Sequence, residues 1–461
     1  MLNDILSIRK GEFASGCHTE LRGQLNRSRK VTLLAGNVVA NSRSDISGVS
    51  ARVYRNGTYG FSSMADYTPE AASKVLRAAS ENAAFMDLHA GAGKPALPAL
   101  PRECWFPQNG YNDPAQKIYI DFAKELDAYI ADHCPRLISR VVVAMEDSME
   151  KLLVTSDGMD AHTVLPRAYC YVVLTAETPD GQPVELSMPF GGEGTFDLNF
   201  TDASVWYPEI DRLYEKLMDK REGVYADAGL KTVILGGMMT GMLSHEAVGH
   251  TVEADLVLGG SVAGHCLNKQ VASEKVTMSD FANTAFGKRA PLPVFVDDEG
   301  TKARDVTLIK DGILTGYMNS RETAQHFGME PLGNARAWLF SDEPLIRMRN
   351  TAVHPGTDKL EDMIASIDDG YYLIDSSNGQ ADTTGEFMFG VTMGYEIKNG
   401  KLGKALLDTT ISGVAFDMLK TVDMVGDQVV WVSVGFCGKK QPMPVGLGGP
   451  ALRCKVMIGG R

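Results

Sequence analysis

Residues 244–256 read Ser-His-Glu-Ala-Val-Gly-His-Thr-Val-Glu-Ala-Asp-Leu, and the interpretation of the whole chain turns on this stretch. His245, Glu246 and His250 bring two imidazoles and a carboxylate close together in the chain. Neutral imidazole suits zinc, and a glutamate beside the first ligand can take the proton of a water that the metal activates. The spacing differs from the usual metalloprotease helix, whose histidines stand four apart on one face. Five residues is about 140° around a regular α-helix, so the two rings diverge unless one turn is widened. A π-bulge aligns i with i+5, and such bulges favour functional sites. Gly249, immediately before the second histidine, is the residue best able to tolerate that irregularity. A lone histidine on a helix is more often a packing or surface residue than a ligand, so the surroundings must decide.

Outward from the motif, Lys231–Leu235 reads as a strand that Gly236-Gly237 leads into the motif helix. Beyond it the chain turns mostly to strands, around Lys275–Met278, Val294–Asp297, Val306–Ile309, Gly390–Ile397 and Val429–Val434. Asp311-Gly312 and Asn399-Gly400 mark hairpins, and helices are expected near Ser320–Phe327 and Lys359–Ala365. A boundary falls near Gly223–Leu230. Before it, Val31–Ala40 and Val49–Tyr54 read as strands with a hairpin at Asn56-Gly57. Thr68-Pro69 caps a helix to about Met86, and Asp113-Pro114 starts another to His133. Strands follow at Arg140–Met145, Leu152–Thr155, Ala168–Ala176 and Val184–Pro189, then a helix over Pro208–Arg221. The expectation is an α+β protein of two domains. An N-terminal α/β-mixed domain covers residues 1–225, and a C-terminal strand-rich domain, residues 229–461, carries the HExxxH helix.

A chain of 461 residues has room for sizeable cores. Its formal net charge of −13, with no basic block, lacks the electrostatic footprint of a nucleic-acid binder. The seven cysteines form no Cys-x-x-Cys pair, which points to a reducing compartment rather than a disulfide framework. No apolar signal core opens the sequence, and the longest apolar run, Val233–Leu243, is too short to span a bilayer. A cytoplasmic protein without membrane partners is expected.

A catalytic zinc needs a third protein ligand and an open position. Glu253, His265, Cys266 and Cys437 are candidates, and spacing does not choose among them. Cys437 stands in Val434-Gly435-Phe436-Cys437-Gly438-Lys439, where a nearby lysine favours thiolate. Asp297-Asp298-Glu299-Gly300 reads more readily as a solvated turn than as a cation site. Gly191–Gly194 and Gly446–Gly449 lack Walker or Rossmann form and read as flexible or close-packed backbone.

Taken together the chain resembles the TldD/PmbA family, historically called modulators of DNA gyrase, and within it the TldD-type zinc metallopeptidase branch. The resemblance rests on Gly48–Val53, Gly57–Phe61, the His245–His250 motif with Glu253-Ala254-Asp255, Asp297–Gly300 and Arg347–Thr351. It continues through Gly385-Glu386-Phe387, Cys437-Gly438-Lys439, Gln441 and Gly448-Gly449-Pro450. It implies that His245, His250 and Cys437 hold Zn2+ and that Glu246 is the base. It also implies a peptide substrate taken in extended form, and a homodimer or a heterodimer with a PmbA-like subunit. Direct nucleic-acid binding is not implied. One departure stands out: the family's Gly-Lys-Leu-Gly-like run is here Ala263-Gly264-His265-Cys266-Leu267-Asn268. The rival expectations are a hydrolase or amidase of a small-molecule or modified-peptide conjugate, and a non-cleaving peptide-binding subunit with structural zinc.

Overall fold

The computed structural model describes residues 10–90, 93, 94, 96–105 and 111–459. The chain is a mixed α/β protein rich in strand. Its N-terminal half is built on a seven-stranded sheet. The strands Thr58–Met64, Asn37–Arg55, His18–Leu34, Leu137–Thr155, Asp160–Glu177 and Pro183–Glu193 lie side by side in that order, all antiparallel. The short strand Cys104–Trp105 adds to Asp160–Glu177 in parallel.

One face of this sheet is apolar and covered by helices. Helix Pro69–Ala90, whose Ala71 N–H donates to Thr68 Oγ1, packs Ala72, Val75 and Ala79 on Leu21, Val49 and Ala51. Helices Gln116–His133 and Tyr207–Arg221 cover the stretch around Val31, Leu33, Val142 and Val172. The opposite face is polar yet also buried. Glu20, Arg22, Gln24, Asn26 and Arg52 are each under 10% exposed, because the C-terminal half lies on them. Arg22 donates to Leu339 O and Asp342 O, Gln24 and Asn26 donate to Trp338 O, and Arg52 joins Glu20 to Glu299.

In the C-terminal half, Asp369–Ala381, Gly229–Leu235, Leu452–Ile458, Thr409–Val414 and Glu386–Lys398 pair in sequence, and the last returns to the first. They close a ring of five strands. A six-stranded sheet stands beside it, in the order Ile313–Leu314, Val306–Lys310, Met278–Phe281, Asn350–Val353, Met443–Gly449, Val430–Cys437. Helix Gly237–Met242 and the segment that follows run between the two, and Val233, Leu235, Leu243, Val248, Leu373 and Val445 share their core.

Several local expectations are corrected. The run Val31–Ala40 is not one strand: Ala35 and Gly36, at φ 47° and 81°, turn it into the hairpin joining His18–Leu34 to Asn37–Arg55. Both residues take the left-handed conformation of a tight type I′ turn, which the flanking β-branched residues mask in sequence. Arg140–Met145 and Leu152–Thr155 are parts of one strand, Leu137–Thr155. Val294–Asp297 is no strand, because the Asp297 carboxylate accepts the N–H groups of Glu299, Thr301 and Ala335 and closes a turn. Lys275 and Val276 belong to a turn, and the strand starts at Met278. The second helix begins at Gln116, since Asp113 pairs with Arg29 and Arg43 instead of capping it. Among the described residues no helix is long and apolar enough to cross a membrane.

Candidate metal centre

Leu243–Gly249 is a π-helix set between the short α-helix Gly237–Met242 and a single 3-10 turn, His250–Val252. The N–H of His250 donates to His245 O, the i to i+5 bond that lines up the two histidines. Their rings stand 5.2 Å apart at 79°. Packing fixes this turn: a Cβ at Gly249 would meet Met348 Sδ at 2.1 Å and Ser244 O at 3.0 Å. Upstream, a Cβ at Gly241 would lie 2.9 Å from Gly448 N, so the motif helix rests directly on the backbone of Gly446–Gly449.

The strand Val430–Cys437 delivers Cys437 to the same place from 187 residues away, with Sγ 3.4 Å from His250 Nε2. One donor atom each of His245, His250 and Cys437 lies within 4.8 Å of the others. Glu246 stands beside them, Oε2 3.6 Å from His250 Nε2 and Oε1 4.0 Å from His245 Nε2. His245 is 1% exposed, whereas the Glu246 side chain is 25% exposed. The carboxylate is therefore on the open side of the cluster.

Of the four candidates for a third donor, only Cys437 joins the histidines. Glu253 is wholly buried and accepts from the other ring nitrogen, His250 Nδ1, at 2.7 Å. Cys266 Sγ donates to Val262 O, and neither it nor His265 belongs to the cluster. Lys439 reaches Glu253 Oε1 at 3.1 Å and Asp255 Oδ2 at 3.0 Å. It balances the carboxylate rather than the thiol.

Burial opposes ionisation of the Cys437 thiol, but the two facing imidazoles outweigh it and hold its pKa far below the ordinary value. For His250 burial favours the neutral ring, while Cys437 and Glu253 together push its pKa well up. Burial likewise opposes charge on Glu253, and His250 and Lys439 more than compensate. The cluster is thus built to stabilise a thiolate facing positive charge. Both ring nitrogens of His245 are buried without a hydrogen-bond partner, a costly state for an imidazole. A cation at the centre of the triad would satisfy one of them. Two imidazole nitrogens and a thiolate are also donors that zinc prefers, so the residues fit that metal.

Sequence alone marks neither Lys439 as the partner of Glu253 nor Arg347, which donates to the carbonyls of Cys437, Lys439 and Gln441. The carboxylate three residues after His250 was the available signal for Glu253, since i and i+3 are neighbours on a helical turn. Nothing local marks Arg347.

The family models that match this chain describe a metallopeptidase class. Residues 228–460 match the PmbA/TldA metallopeptidase C-terminal domain, residues 19–83 domain 1 and residues 110–220 the central domain. The chain belongs to the PmbA/TldD family. A protein of Buchnera aphidicola named metalloprotease TldD homolog is 32% identical over 91% of this chain and 88% of its own. A Methanothermobacter thermautotrophicus protein named metalloprotease is 29% identical over 96% and 95%. A zinc metalloprotease TldD homolog of Saccharolobus solfataricus is 34% identical over 54% and 56%. TldE from Thermococcus kodakarensis shares the fold with a TM-score of 0.77 at 16% identity, covering 100% of this chain and 99% of that one.

Proposed function

We propose that this chain is a zinc-dependent metallopeptidase acting on peptides or unfolded segments bound in extended form. His245, His250 and Cys437 are the metal ligands in this reading, and Glu246 is the general base. The observation that carries it is the convergence of two imidazoles and a thiol, with a partly exposed carboxylate beside them. Bound zinc supplies a Lewis acid that polarises a carbonyl and lowers the pKa of water toward neutrality.

The chain's own groups do the rest. Glu253 accepts from His250 Nδ1 and so leaves Nε2 directed at the cluster. Glu246, on the open side, takes a proton from the attacking water and passes it to the leaving amine nitrogen. A cysteine ligand donates more charge than histidine or glutamate would and weakens the Lewis acid, so substrate positioning must supply more of the rate. Main-chain pairing of an extended peptide with a strand edge accepts varied sequences and suits that task. Three converging side chains, not four, among the described residues support an open position over a closed structural site.

The same reading includes a homodimer or a pairing with a PmbA-like subunit, and no nucleic-acid partner. It also includes a division into domains at 1–225 and 229–461. Seven free cysteines support a cytoplasmic setting. The test is cleavage of unfolded polypeptide by the zinc-loaded protein and by Glu246→Gln. The variant should keep its zinc and fold and lose about 10²- to 10⁴-fold in rate. Cleavage by a metal-free preparation, or an unaffected variant, overturns the proposal.

A further inference from the structure

The segment that follows Cys437 has an unusual backbone. Lys440 is exposed and adopts φ 58°, the left-handed region that a lysine seldom occupies. Gln441 N–H donates to Lys439 O at 2.7 Å, closing a tight turn two residues beyond the thiol. Non-glycine residues persist in this conformation where the surroundings over-determine them. Here three carbonyls of the turn converge on one side chain. Arg347 donates from Nη1 to Lys439 O at 2.5 Å and to Gln441 O at 2.8 Å, and from Nη2 to Cys437 O at 2.7 Å.

Arg347 is 0% exposed, and among the described residues no carboxylate lies within ion-pair distance of it. A buried guanidinium without a counter-charge is expensive unless its donors are used. Its two Nη groups are spent on alternate carbonyls of one short loop, while the buried Nε–H has no partner among the described residues; that pattern is one the planar fork of arginine makes and a lysine ammonium does not. Its own backbone is fixed, since Arg347 N–H donates to Asn334 O and Asn334 Nδ2 donates to Arg347 O. The neighbouring Arg349 is equally buried but serves Asp280, Leu332 O and Arg304 O, with no contact to the loop. Gln441 is held independently through Trp338 N–H and Glu343 O.

We propose that Arg347 is the positioning residue of the third ligand: it holds the Cys437–Gln441 turn in the one shape that aims the thiolate at His245 and His250. This rests on the triad being the metal site. Arg347 is not a member of the triad, and its effect travels through the three carbonyls.

The experiment titrates Co2+ into the metal-free full chain and follows affinity, the thiolate-to-cobalt absorption band and Tm. Arg347→Lys should bind Co2+ about 10- to 100-fold more weakly, the usual cost of losing an outer-shell partner, with a diminished thiolate band. Arg349→Lys should lose Tm but keep the parent's affinity and spectrum. Should Arg347→Lys not fold, Lys440→Val reads the same geometry at an exposed position. A β-branched residue there should weaken Co2+ binding, while Lys440→Gly should leave it intact. A folded Arg347→Lys or Lys440→Val with the parent's affinity and spectrum overturns Arg347's role alone. A parent chain that binds no Co2+, or His245→Ala that binds as the parent does, removes the metal reading and this proposal with it.

Discussion

Gly249→Ala is a one-carbon change that the π turn should not absorb. The added Cβ would sit 2.1 Å from Met348 Sδ, against an ordinary contact of about 3.5–4.0 Å, so some 1.5 Å of displacement is required. Met348 is 0% exposed and shares the C-terminal core with Val248 and Val252, so it has no solvent to swing into. Overpacking of this kind costs about 1–3 kcal/mol. At about 2–4 °C per kcal/mol for a folding unit of this size, Tm should fall by about 2–12 °C at fixed zinc. Zinc retention should fall as well, because His250 follows the displaced residue. Met348→Ala alone leaves a cavity and costs about 2–5 kcal/mol. Combining the two removes the clash, so the double variant should be more stable than the sum of the singles by about 1–3 kcal/mol. The measurement is thermal unfolding of the four proteins with bound zinc quantified in each. Strictly additive Tm shifts, or Gly249→Ala with the parent's Tm and zinc, would refute the claim that close packing on Met348 sets the turn.

Two further outcomes follow from the same geometry. Burial opposes charge on Glu20, but Arg52 and His18 outweigh it and lower its pKa from 4.5 to about 2. A carboxylate depressed on folding contributes stability that is present above about pH 4.5 and is lost as pH falls toward 2. Tm measured across this window should decline in the parent, and Glu20→Gln should flatten the decline at the cost of lower stability near neutrality; an unchanged acid limb would contradict it. Glu253→Gln removes the charge that faces His250 Nδ1 and leaves Lys439 only Asp255, so competition against a chelator should report zinc affinity weakened about 10- to 100-fold; parent-like affinity would show that His250 does not depend on this partner.

The π turn was legible from spacing: two histidines five apart meet at one point only if a turn is widened, and Gly249 stands where the widening needs space. The turns at Asn56-Gly57, Asp311-Gly312 and Asn399-Gly400 were legible because each pair takes positive φ. The close-packed reading of Gly446–Gly449 agrees with the backbone that meets Gly241. The inner face of the N-terminal sheet was not legible. Alternation separates Leu21 from Arg22 and Gln24, but it assigns polar side chains to solvent, and here they cap carbonyls of a segment more than 300 residues away. Ala35-Gly36 hid inside a β-branched run. For the third donor, proximity in sequence favoured His265 and Cys266 as much as any residue, and only the resemblance singled out Cys437. A cysteine that arrives on a strand 187 residues downstream leaves no periodic trace.

The central claim is the metal triad, and zinc content tests it most directly. The protein, purified without chelator, should carry about one zinc per chain by mass spectrometry. His245→Ala, His250→Ala and Cys437→Ala should each lose it, whereas His265→Ala and Cys266→Ala should keep it. Zinc retained by Cys437→Ala, or lost with Cys266→Ala, would contradict the account.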